Sequence, residues 1–117
     1  MEDSPPGALT NPLPPCPDMP NCVRATRPFE MTPDVLFERA HQALQRMGAS
    51  QIEADPQARR VDAVFTVFLF KDEVAVVVLP QPSGAALHIR SASRVGSYDF
   101  GVNRRHVERF FETLAVP

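Results

Sequence analysis

The chain has a single lysine, Lys71, against eleven arginines in 117 residues, and its net charge is −2. A nucleic-acid binder wants a basic field, and a polybasic membrane anchor wants clustered cations, so the composition argues against both. No apolar run reaches the ~18 residues that a membrane helix requires. The chain begins Met1-Glu-Asp-Ser-Pro-Pro6, with neither a basic n-region nor an apolar h-region. A cytoplasmic location is therefore expected, with export the alternative if a targeting segment lies outside this sequence. There are two cysteines, Cys16 and Cys22, and no second pair. A structural zinc site needs four ligands, usually as two close pairs, and His41, His88 and His106 are scattered. No metal and no cofactor are expected.

What remains is ordinary for one small globular domain: 44% apolar and 22% charged residues. A domain of this length buries roughly two-thirds of its unfolded surface, enough for a core. Eight of the thirteen prolines fall in residues 1–28. Proline fixes φ and has no N–H for a sheet, so residues 1–28 read as an extended or irregular arm carrying the cysteine pair, and 29–117 as a single α+β domain. Within Cys16-Pro-Asp-Met-Pro-Asn-Cys22 the prolines restrict the chain and ease closure. A disulfide is expected if the protein is exported, and free thiols in a reducing cytosol.

Pro33 to Met47 carries an apolar stripe at helical spacing, Leu36, Phe37, Ala40, Leu44 and Met47. Thr32 can cap it, Pro33 suits the first turn and Gly48 stops it. Strands follow at Gln51–Asp55, Arg59–Phe70, Glu73–Leu79 and Ala86–Arg94, with Lys71-Asp72 as a tight turn. A last helix runs from about Asn103 to Leu114, with Val107, Phe110, Phe111 and Leu114 facing the core. The expected fold is an α+β two-layer sandwich, an antiparallel sheet of three to four strands with two helices on one face. The Val- and Phe-rich strands are apolar on both faces, which predicts a cover for the second face: the proline-rich arm, another subunit in a homodimer, or an apolar ligand.

The stretch from Ile89 to Val107 concentrates polar chemistry between apolar runs. Strand alternation puts Arg90 and Arg94 on one face and Ser91 and Ser93 on the other. Asp99 is the one acid in the stretch, and Asn103 is a good N-cap type. Arg104 and Arg105 follow at the start of the last helix, where the macrodipole disfavours cations. They call for compensation by Asp99 or by an external anion at the helix N-terminus.

Arg90-Ser-Ala-Ser-Arg-Val-Gly96, Asp99 and Gly101-Val-Asn-Arg-Arg-His-Val-Glu108 together resemble the C-terminal signature of an uncharacterised bacterial and chloroplast family, the domain of unknown function 1499 (DUF1499). Cys16-Pro-Asp-Met-Pro-Asn-Cys22-Val resembles its other signature. The resemblance spans roughly Pro15 to Leu114 and implies no known activity. Arg24 and Ala25 stand where that family usually has a serine pair. Asp72-Glu73-Val74-Ala75 lacks the glutamate that usually follows its two acids and valine.

The function expected from these residues is a non-enzymatic binding or assembly module. Arg90, Ser91, Ser93, Arg94, Asp99, Asn103, Arg104 and Arg105 would hold an anionic small molecule or an acidic protein partner, since arginine suits carboxylate and phosphate. The rival is a hydrolase or transferase on an anionic substrate, for which Ser91 or Ser93 with His88 or His106, oriented by Asp99, is the candidate set. A purely structural role is the third reading.

Overall fold

In the computed structural model, residues 9–18, 21–95 and 101–116 are described. Helix α1 spans Pro33–Arg46 and α2 spans Val102–Ala115. The strands are β1 (Cys22–Phe29), β2 (Gln51–Asp55), β3 (Arg60–Val67), β4 (Phe70–Gln81) and β5 (Gly84–Ser93). They form one antiparallel sheet in the order β1-β5-β4-β3-β2. Both helices pack on one face, where Leu36, Leu44, Val61, Val76, Leu87, Ile89 and Phe110 are all fully buried. This is the expected α+β two-layer arrangement, and Phe37, Leu44, Phe65, Val77, Ile89, Val107, Phe110 and Leu114 are all buried. All but Val77 lie in the core between the helices and the sheet. Val77 pairs with His88 and faces the other side.

The cap of α1 is as its sequence dictates. Thr32 Oγ1 accepts from the Val35 N–H at 3.3 Å, and Gly48 ends the helix at φ +83°. The start of α2 differs from expectation. Gly101, at φ 80°, occupies the cap position without a side-chain bond, and Asn103 lies inside the first turn, fully buried. Its amide is directed to the sheet, where three polar partners wait, so it does not cap the helix.

The sheet has five strands where three to four are expected, because Cys22–Phe29 pairs along its whole length with β5. Proline content made this segment read as irregular. β1 is an edge strand, however, and Pro28 near its end is the position a sheet tolerates. The β3–β4 turn also moves. Val67 pairs with Phe70, so the turn residues are Phe68 and Leu69, and Lys71 and Asp72 belong to β4 opposite Thr66 and Phe65. The β4–β5 turn depends on Gly84. A Cβ there would run into the Phe29 carbonyl oxygen, and its φ is +150°.

Residues 9–18 lie on the face away from the helices. Leu13 is buried, Asn11 Nδ2 donates to Ala25 O at 3.2 Å, Arg24 Nη1 to Leu13 O at 2.9 Å and Arg90 Nε to Pro14 O at 2.9 Å. They cover the β1–β5 half of that face. Cys16 and Cys22 form a disulfide, with a Cα–Cα distance of 5.5 Å. On the helical side, the Arg27 guanidinium sits 3.9 Å over the Phe111 ring and closes the core at the β1 edge.

Candidate functional site

The residues singled out in the sequence fall into two groups on opposite sides of the sheet. Ser91, Ser93 and Asn103 come together beneath α2. Ser91 Oγ donates to Asn103 Oδ1 at 2.6 Å; Asn103 Nδ2 donates to Ser93 Oγ at 2.9 Å and to Asn21 O at 3.1 Å. The Ser93 N–H also reaches Asn21 O, at 3.0 Å. Ser91 and Asn103 are fully buried and Asn21 nearly so. Buried polar groups that satisfy one another in this way specify a geometry. Here they lock β5, α2 and the residue before Cys22 into one junction.

Arg90 and Arg94 are on the other side. The alternation that turns Ser91 and Ser93 toward α2 turns these arginines away from it. Arg94 Nε binds Glu73 Oε2 at 2.8 Å. Arg104 and Arg105 are exposed on the first turn of α2. The four arginines therefore do not share one concavity. Asp99 lies outside the described residues, as do Gly96 and Ser97.

Beside the Asn103 junction, His106 Nε2 is 3.0 Å from Asp72 Oδ2, with both side chains nearly buried. The imidazole stacks on Phe65, ring centroids 4.9 Å apart. Sequence reasoning placed Asp72 in a turn and so missed this pair. Its signal was the alternation of β4, which puts Asp72 on the same face as Val74 and Val76. His88 is fully buried on the opposite face, its Nδ1 2.7 Å from Thr26 Oγ1. Neither histidine is hydrogen-bonded to Ser91 or Ser93 among the described residues, and the Ser91 hydroxyl is committed to Asn103.

The open part of the second face holds a groove of about 730 Å³. Pro14 walls it on one side and Gln51 and Glu53 of β2 on the other; Val64 and Ala75 form its floor, with Arg60, Asp62, Glu73 and Arg90 around it. This volume is within the range of small-molecule sites. Arg60 binds Asp62 through two hydrogen bonds, 2.9 and 3.0 Å. The hydrogen bonds that Arg60 donates to Asp62 hold the pKa of its guanidinium above the ordinary arginine value, against partial burial, so that cation is already matched. Glu73 is matched by Arg94. Arg90 uses Nε–H on Pro14 O, and its Nη groups make no hydrogen bond to a described residue. It is the groove's available cation. Four of the groove residues, Glu53, Arg60, Asp62 and Glu73, were not among the expected site residues; only the polar positions of alternate strands could have indicated them. Among the described residues, no cluster of three or more His, Cys, Asp or Glu side chains is arranged to hold a metal.

A family model described as "Protein of unknown function (DUF1499)" matches residues 12–114. No curated protein matches the chain. Among solved structures, protein MLL2253 from Mesorhizobium loti aligns with a TM-score of 0.60 at 13% identity, over 80% of this chain and 93% of that one. Protein CV1439 from Chromobacterium violaceum aligns with a TM-score of 0.50 at 11% identity, over 82% and 96%. TTHA0849 from Thermus thermophilus aligns with a TM-score of 0.50 at 16% identity, over 80% and 90%. At these identities the likeness is one of fold alone.

Proposed function

The chain belongs to the DUF1499 family of proteins of unknown function, and we propose that this member is a non-enzymatic binding module that takes a small polar ligand with an acidic group in the groove on the second face of its sheet. The observation that carries this reading is Arg90. It stands at the rim of a 730 Å³ groove with its Nη groups unengaged by described residues, while the other groove cation is matched to Asp62. A guanidinium in that state suits a carboxylate or phosphate. Ser91, Ser93 and Asn103 serve the ligand indirectly, by fixing β5 and hence Arg90. Among the described residues neither Ser91 nor Ser93 is hydrogen-bonded to His88 or His106, which weighs against the Ser–His set of the hydrolase reading. The bonded Cys16–Cys22 pair supports an oxidising compartment, the export alternative, over the cytoplasm.

Thermal melts in inorganic phosphate, sulfate and succinate test the proposal. Binding to the folded state alone adds about 2.7 kcal/mol at a hundredfold excess over Kd. Salts also stabilise by exclusion from the surface, so the comparison is with variants in the same solution. Arg90→Ala is expected to lose the ligand-dependent rise in Tm, and Arg104→Ala to retain it. The reverse pattern would move the site to the start of α2, and no ligand-dependent rise in any protein would leave the motif as scaffolding.

A further inference from the structure

The β3–β4 hairpin ends in Val67-Phe68-Leu69-Phe70, with Val67 paired to Phe70. Phe68, Leu69 and Phe70 are 91%, 94% and 60% exposed. Two-residue hairpin turns are normally made by Gly, Asn or Asp. Phe68 instead takes φ +57°, a region that bulky residues avoid. The tip thus departs from both turn chemistry and solubility at the same residues. Side chains more than nine-tenths exposed touch almost nothing of their own chain, so folding does not account for them. At the same end, Arg94 N–H donates to Lys71 O at 2.9 Å and continues the β4–β5 ladder toward Val95, which is 63% exposed.

Among the described residues, this end carries the cations Lys71, Arg94, Arg104 and Arg105 beside the acids Asp72 and Glu73. Lys71 directly follows the tip. Arg94 is its ladder neighbour, and Arg104 and Arg105 lie on the first turn of α2, held to this end by the Asn103–Ser93 and His106–Asp72 bonds. The acids next to Lys71 are already engaged: Asp72 is buried against His106 and Glu73 is bonded to Arg94. We propose that the Phe68-Leu69-Phe70 tip docks onto the surface of a bilayer carrying anionic lipids, the three apolar side chains entering the interfacial layer while Lys71 and Arg104 face the headgroups. A protruding tip of three side chains offers far less than the ~800 Å² per partner of a stable protein interface, and it is convex rather than self-complementary. A bilayer accepts such a tip without shape matching and attracts the flanking cations. The attachment is peripheral and reversible, and no described helix is long and apolar enough to cross a membrane.

Co-sedimentation of the full chain with vesicles of phosphatidylcholine alone, and of phosphatidylcholine with phosphatidylserine, tests this. The chain is expected to sediment with the serine-containing vesicles about tenfold more strongly than with phosphatidylcholine alone, and less so as salt is raised. The combined Phe68→Ser, Leu69→Ser and Phe70→Ser variant is expected to lose at least about tenfold of that binding with Tm little changed, since Phe68 and Leu69 are more than nine-tenths exposed and Phe70 is mostly exposed. If the triple variant melts lower, Leu69→Ser alone keeps the test, because it leaves the turn residue Phe68 in place. No sedimentation with either vesicle would overturn the proposal. So would wild-type binding by the variants, or an oligomer of the wild type that the variants disperse, which would make a second copy the occupant.

Discussion

The Asn103 amide donates to the Asn21 carbonyl oxygen at 3.1 Å, across 82 residues of chain. This bond joins the two signatures of the sequence, the cysteine segment and the strand-to-helix stretch. Both come to one buried point because β1 and β5 are antiparallel neighbours, with Cys22 opposite Ala92. Asn103→Ala would leave the Ser91 hydroxyl without its acceptor while Ser93 N–H still satisfies Asn21 O. Loss of such a buried network is expected to cost about 2–4 kcal/mol, read as a lower midpoint in urea with an unchanged slope. A cost near zero would mean that water replaces the amide and that the junction is not structural.

Phe110 is fully buried and meets Phe111 edge-on, ring centroids 5.4 Å apart. Phe110→Ala is expected to cost about 3–5 kcal/mol in the same measurement.

The disulfide closes a short loop, six residues apart in sequence. By the chain-entropy estimate it stabilises by about 2 kcal/mol. Mass spectrometry with and without reductant is expected to show a two-hydrogen difference, and Cys16→Ser to lower Tm. Because the bond anchors residues 9–18 over β1 and β5, the same variant is expected to speed hydrogen exchange at Ala25 and Ile89 less than at Leu13, whose N–H donates to a local side chain, Asn11 Oδ1, at 3.0 Å.

Helix stripes, the ends of α1 and the last strand were legible because each is a local pattern: Thr32 and Gly48 bracket α1, and Val107, Phe110 and Leu114 repeat at helical spacing. The parity of β5 was legible too, and it already separated Arg90 from Ser91. What sequence could not supply was which parity faces α2, and so whether Arg90 and Arg104 meet. β1 was hidden by proline, a local argument that sheet edges override. The β3–β4 turn was hidden because Phe68-Leu69 has no turn chemistry, whereas Lys71-Asp72 has some; continuous cross-strand burial of Phe65 and Asp72 decided the register instead. Asp72 therefore passed for a surface residue when it is the partner of His106.

Amide chemical shifts during titration with succinate test the second-face site most directly. Perturbations are expected to cluster at Val64, Ala75 and Arg90, across three adjacent strands of one groove, with the amides of Val102 to Arg105 unmoved. Shifts confined to Val102–Arg105, with Ala75 and Arg90 silent, would contradict a site on the second face and return the ligand to the helix start.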